Sequence, residues 1–251
     1  MGPALLPVTA TLLALAGIRS GETVVDVGCG TGTLTFPAAA AAGPGGRVYG
    51  VDPSVPALVA GRARRESAVR WVCGTATRLP FTAGSADKIL NGSSLHLVPD
   101  LRPALAEQAR VLRDFGRVAA SAWGAFAAGP EEAAFAEALA AHGVDAEAYG
   151  GRLAFDGSFH PGADLAALFR EVGLRIVHEG TDAVPVRLPD AGAYAAWRLG
   201  FAPPAAPAAP AAAAPDSPAG RAVVAAVAAA LGPEPVAVPA VVHSVTANPQ
   251  P

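Results

Sequence analysis

Val24-Val-Asp-Val-Gly-Cys-Gly-Thr-Gly-Thr-Leu-Thr35 is the stretch whose reading decides the architecture. It begins inside Glu22-Thr-Val-Val-Asp-Val27, a β-branched run too short for a helix and bounded by glycines. Such a run reads as a buried strand of a parallel sheet. Gly28, Gly30 and Gly32 then fall at alternate positions, and Leu34 to Ala42 reads as a helix with Pro37 in its first turns, where proline is tolerated. Glycines between a strand and a helix permit positive φ and remove Cβ atoms that would hold a ligand away from the backbone. Parallel sheets bind ligands at the carboxyl ends of their strands, so the cleft is expected at this turn.

Working outward, the alternation repeats. Residues 8–18 read as a short helix stopped near Gly17, and Gly43-Pro-Gly-Gly46 ends the helix after the glycine turn. Strands are expected at Arg47–Val51, Val69–Cys73, Ala86–Leu90 and Gly116–Ser121, with helices over Pro56–Glu66 and residues 102–113. In the last of these, Leu101, Leu105, Ala109 and Leu112 recur at helical spacing opposite Glu107, Gln108 and Arg110. The fold class is therefore α/β: a Rossmann-like, doubly wound, seven-stranded sheet, mostly parallel, with helical lid insertions.

Beyond Trp123 the rhythm breaks. Glu131–Ala141 reads as an inserted helix and Tyr149–His160 as a loop rich in glycine and aromatics. A helix over Asp164–Val172, stopped by Gly173, and a strand over Leu174–His178 resume the pattern. Residues 190–200 and Ala219–Leu231 read as helices, and Val236–Thr246 as a closing strand whose Pro239 suits its start or a bulge. Residues 1–251 are expected to form one domain with a cofactor-binding core over 20–123. Lid insertions are expected at 124–160 and 188–232, the second holding a Pro/Ala-rich linker at 201–218.

Composition narrows the partners. The 251 residues are 52% hydrophobic and 16% charged with a formal net charge of -3, a globular balance. The longest basic cluster is Arg62-Ala-Arg-Arg65, too little for a phosphate-tracking stripe, so no nucleic-acid partner is expected. No uninterrupted apolar stretch has the length of a membrane span, and the Leu5–Ala16 run lacks the basic start of a signal peptide. Cys29 and Cys73 show neither disulfide nor metal spacing, which favours a reducing cytoplasm and no metal site. A small-molecule substrate is the expected partner, and a homodimer is left open.

Asp52 ends the second strand at Tyr49-Gly-Val-Asp-Pro53, where a carboxylate can accept hydrogen bonds from both hydroxyls of a ribose. That makes the cleft an adenosine site. A dinucleotide fold wants Gly-x-Gly-x-x-Gly, and the last of those positions, measured from Gly28, is Thr33. Dinucleotides also present pyrophosphate to the helix N-terminus, which needs no acid before the turn. Asp26 stands there instead and suits a ligand carrying an amino group and a sulfonium.

On these residues the chain resembles class I S-adenosylmethionine-dependent methyltransferases, in the ubiquinone/menaquinone-biosynthesis-like small-molecule group. Val24–Thr35 is similar to their motif I, and the resemblance runs through Val48–Ser54, Cys73–Phe81 and Asp87–His96. It covers residues 20–123 well, and Phe159–Val186 and the last strand more loosely. It implies S-adenosylmethionine as cofactor. Gly28, Cys29 and Gly30 would line its methionine part, with Asp26 supporting that end and Thr31 and Gly32 completing the turn. Asp52, followed by Pro53, would hold the ribose, and Thr75 and Ala76 would flank the adenine. Asn91 would open beside the sulfonium, and His96 would touch cofactor or substrate. The family usually has Asp-Ala at Thr75-Ala76 and often a second histidine at Leu97.

His96 and His160 are the catalytic candidates, although a histidine after a strand serves a loop carbonyl as readily as a reaction. Trp123 could wall the pocket or simply fill the core, and no general base stands out. Methyl transfer is an in-line displacement in which alignment can supply about 7–11 kcal/mol, and a base matters only if the acceptor loses a proton during attack. The rival readings are a cofactor-retaining enzyme of cyclisation, decarboxylation or hydroxylation, and a non-catalytic cofactor-binding module.

Overall fold

The β-branched run Thr23–Val27 (β1) is buried along almost its whole length because it lies mid-sheet, with a parallel neighbour on either side. The computed structural model describes residues 6–64, 69–98, 100–126, 129–143, 161–199 and 215–249. In chain order the remaining strands are β2 (Arg47–Asp52), β3 (Val69–Cys73), β4 (Ala86–Gly92), β5 (Leu112–Phe126), β6 (Leu174–Leu188) and β7 (Val236–Pro249). Helices are α1 (Leu6–Ala16), α2 (Thr35–Ala42), α3 (Val55–Ala63), α4 (Leu101–Val111), α5 (Pro130–Ala141), α6 (Pro161–Glu171), α7 (Ala191–Leu199) and α8 (Pro218–Leu231). The seven-stranded sheet has the order β3-β2-β1-β4-β5-β7-β6, and β7 pairs antiparallel to both its neighbours.

The period of two along each strand splits the core in two. Val25, Val27, Val51, Ile89, Val118 and Ala120 pack with Leu101 and Leu105 of α4 and Leu165 and Phe169 of α6. Val24, Val48, Leu90 and Ala119 pack with Leu12 of α1 and Phe36 and Ala39 of α2. Both faces are covered, as an apolar parallel sheet requires.

Several boundaries differ from the sequence reading. Helix α4 stops at Val111 and runs straight into β5, whereas a helix to residue 113 and a strand from 116 were expected. Leu112 continues the helical apolar spacing but is extended (ψ 139°) and pairs with Ala86, while Arg113 forms an ion pair with Asp87 across the same junction. Strand β6 continues well past His178 to Leu188. Its middle reads as polar because it is a sheet edge, paired only with β7. Pro239 stands opposite Pro185, next to Ala240, where the β5–β7 register shifts between Trp123 and Phe126, so it falls beside an irregularity of the ladder and close to the strand start at Val236.

That register has a further consequence. Pairing between β5 and β7 ends at Phe126–Ala240, but β6 and β7 stay paired to Leu188–Val236. Strand β6 runs parallel to β5, so the two-stranded ribbon projects past the carboxyl ends of the parallel strands. The inserted helices gather on it. Phe135 and Leu139 of α5, Tyr194 and Trp197 of α7, and Val223 and Val227 of α8 form one apolar core with Val186 and Val238 of the ribbon and Val8 of α1. The Tyr149–His160 loop and residues 201–214 of the Pro/Ala stretch lie outside the described residues.

Candidate cofactor cleft

The turn after β1 is held by backbone bonds before any side chain contributes. The N–H groups of Gly28 and Cys29 both donate to the Val51 carbonyl, at 2.8 and 3.1 Å, and tie the turn to the end of β2. Gly28, Gly30 and Gly32 all have positive φ, at 73°, 54° and 94°, a region that glycine enters without steric cost. Their surroundings differ. A Cβ at Gly28 would meet Ser94 at 2.4 Å, and one at Gly32 would meet Trp71 and Phe36 at 2.7 and 2.8 Å. A Cβ at Gly30 meets nothing within 4 Å. Two of the three glycines therefore make room for the protein itself, and Gly30 alone faces open space.

The two acids take up different positions. Asp52 is half-buried at the end of β2, where one carboxylate oxygen accepts the Gly30 N–H at 2.8 Å and the other the Ser54 N–H at 2.8 Å. Asp26 lies beneath the turn, 1% exposed, and accepts a hydrogen bond from the Thr35 hydroxyl at 2.6 Å. Burial pushes its carboxyl up to about 7; the nearby Asp52 charge adds to the rise and the Thr35 bond opposes it. Burial, with the charges of Asp26 and Asp52, also pushes the Cys29 thiol far above its ordinary range, so it stays protonated. A carboxyl poised near neutrality ionises readily when a cation is placed beside it.

The remaining sequence candidates spread along the same edge. Thr75 and Ala76 follow β3; Thr75 is exposed, its hydroxyl 3.3 Å from that of Thr77, and Ala76 packs on the core. Glu107 of α4 accepts the Leu79 N–H at 2.9 Å and pairs with Arg110, which pins this segment and lowers the Glu107 carboxyl below its usual range. Asn91 was expected to open beside the sulfonium. Its side chain is instead fully buried in a reciprocal pair with Gln108 of α4, at 2.8 and 3.0 Å, so only its backbone is left for a ligand. His96 sits in a short 3-10 turn over Leu95–Leu97, and its side chain, that of Trp123 and all of His160 lie outside the described residues.

Sequence reasoning missed Thr35, Ser94, Gln108 and Trp71. Thr35 lies within the motif, but Ser94 and Trp71 act by filling the space the glycines leave, and only the fold reveals that. Among the described residues no group of His, Cys, Asp and Glu could hold a metal, and no helix is long and apolar enough to cross a membrane.

A family model described as a methyltransferase domain matches residues 25–120, the whole span of this edge. Nocamycin O-methyltransferase of Saccharothrix syringae is 36% identical over 209 residues, covering 76% of this chain and 72% of that protein. The chain belongs to the S-adenosylmethionine-dependent methyltransferases. A demethylmenaquinone methyltransferase of Staphylococcus aureus is 41% identical over 104 residues, 41% of this methyltransferase and 43% of that protein. The fold of geranyl diphosphate C-methyltransferase from Streptomyces coelicolor, solved with S-adenosyl-L-homocysteine, matches with a TM-score of 0.53 at 17% identity, covering 98% and 80% of the two chains. The cofactor of the methyltransferase is S-adenosylmethionine.

Proposed function

We propose that this methyltransferase transfers the methyl group to an oxygen of a small, acidic acceptor such as an enol or phenol. The observation that carries this reading is the relative named as an O-methyltransferase, aligned over most of both chains. The described residues fit the cofactor: Gly30 leaves a bare backbone approach, Asp52 ends β2 beside the turn with its carboxylate on the Gly30 N–H, and Asp26 lies buried beneath the turn, where its charge favours an ammonium bound above it. When bound, the cofactor supplies an electrophilic methyl on a positively charged sulfur. The chain's own part is to seat that ligand on the Gly28–Gly32 turn at its open point, Gly30, with Cys29 and Thr31 beside it, Asp26 beneath, Asp52 and Pro53 at the ribose and Thr75 and Ala76 at the adenine, and to exclude water. An acceptor that is already ionised needs no base, which suits a cleft whose buried acid, Asp26, is held by Thr35.

The ribbon and its helices α5, α7 and α8 form a cap over the acceptor side in this reading, so substrate selection lies there. A cytoplasmic setting suits two free thiols, and a homodimer is open to light scattering. Incubation with methyl-labelled cofactor and a panel of phenols, enolised 1,3-diketones, amines and carbon acids tests the proposal. Label in an ether product supports it; label confined to nitrogen or carbon products overturns it.

A further inference from the structure

Ser93 is the one non-glycine residue with positive φ (52°) among the described residues. A serine held there costs of order 1 kcal/mol or more, and its neighbours show what holds it. Gly92 leaves no room for a Cβ against Leu34, at 2.9 Å. Ser94 donates to the Val27 carbonyl at 2.8 Å and fills the space beside Gly28. The Ser93 N–H is bound by both the carbonyl and the hydroxyl of Ser121 on β5, each at 3.1 Å. The turn is thus clamped to β1 and β5, and it ends with the Ser93 hydroxyl 3.3 Å from the Ser121 hydroxyl.

Its place on the sheet gives this clamp a use. Strand order runs β2-β1-β4-β5, with Asp52 ending β2, the glycine turn following β1 and Ser93 following β4. A nucleoside whose ribose sits at Asp52 and whose amino acid end lies over the glycine turn holds its sulfur between the two, and the end of β4, where Ser94 abuts Gly28, borders that turn on the side away from Asp52. Ser121 is 1% exposed and Ser93 half-buried, so one hydroxyl is inside the sheet and the other at its lip. The Ser121 hydroxyl accepts the Ser93 N–H and can donate its own proton to the Ser93 oxygen. In that one of the two possible arrangements the Ser93 proton is left for another acceptor.

We propose that Ser93, buttressed by Ser121, is the hydrogen-bond donor that orients an anionic or carbonyl oxygen of the acceptor for methyl transfer. The inference rests on the oxygen-acceptor reading above. In the reaction the acceptor oxyanion forms the new C–O bond as the C–S bond breaks, and the sulfur leaves as a neutral thioether. Ser93 keeps its proton throughout and acts by position.

The test compares wild type with S93A, S93G and S121A in three measurements: thermal melting, titration with S-adenosylhomocysteine, and methyl transfer to phenol and cyclohexane-1,3-dione. S93G relieves the backbone and should raise Tm, yet it should lose about tenfold in kcat/KM, as S93A does, the scale of one neutral hydrogen bond. S121A should lose less, and S-adenosylhomocysteine affinity should stay within about twofold in all three, as expected of a group that touches only the acceptor. If S93G keeps wild-type kcat/KM, Ser93 is merely a turn residue and the inference falls. Should wild type bind S-adenosylhomocysteine but methylate neither probe, the oxygen-acceptor reading falls first and takes this inference with it.

Discussion

Asp26 shows how much a single residue can carry and how its sign follows from burial. Its carboxyl is raised from 3.8 to about 7, so the native state without cofactor binds a proton that the unfolded chain has released. The stabilisation is fully present below about pH 4 and is lost as pH rises through about 7, at most about 4 kcal/mol. A bound ammonium reverses the preference, so cofactor affinity should rise with pH across the same window. D26N should therefore flatten the pH dependence of Tm and weaken S-adenosylhomocysteine binding by about tenfold or more, measured by calorimetry at pH 6 and pH 8. The glycines separate in the same way. G28A and G32A drive a methyl into Ser94 or into Trp71 and Phe36 and should cost about 2–3 kcal/mol in denaturant unfolding. G30A meets open space, so its unfolding cost should be about 1 kcal/mol and its main loss should appear in cofactor affinity. Spacing alone made all three glycines look like ligand contacts. The distinction depends on Trp71 and Ser94, which reach the turn from distant parts of the chain.

At the scale of elements, the paired period-two strands and the acid ending β2 were legible because each depends on residues close in sequence. The α4–β5 junction was not, since Leu112 satisfies both a helical stripe and a strand pairing, and the pairing with Ala86 decides. Asn91 stands near the end of β4 as expected, but the burial of its side chain was not legible until the facing helix was placed. With Gln108 opposite, both amides are buried and both are satisfied. Replacing either one leaves the other buried without its partner, which costs about 1–3 kcal/mol. N91L and Q108L should each destabilise by that amount, and the N91L/Q108L double variant should cost less than the sum, as a double-mutant cycle in urea would show. Additive losses would mean that the pair does not act as a unit.

The whole molecule is a legible sheet carrying a less legible cap. Alanine-rich helices on either side of a Pro/Ala stretch gave no hint that α5, α7 and α8 share one core, because contacts between the two insertions are set by the β6–β7 ribbon. Inside that core Arg198 is 1% exposed and paired with Glu132, which also accepts the Tyr194 hydroxyl. Burial drives Tyr194 above its ordinary range, so it remains a donor. Taking Glu132 away removes the carboxylate paired with a buried guanidinium, a change that typically costs about 3–5 kcal/mol. The cap and the cofactor edge have separate cores, so that cost should fall on one of them. E132A should speed hydrogen exchange in residues 130–141, 191–199 and 218–231 while β1 and β4 stay protected. S-adenosylhomocysteine affinity should hold within about threefold, and acceptor turnover should collapse. Equal loss of cofactor affinity would mean that the ribbon transmits strain into the sheet and that cap and cleft work as one body.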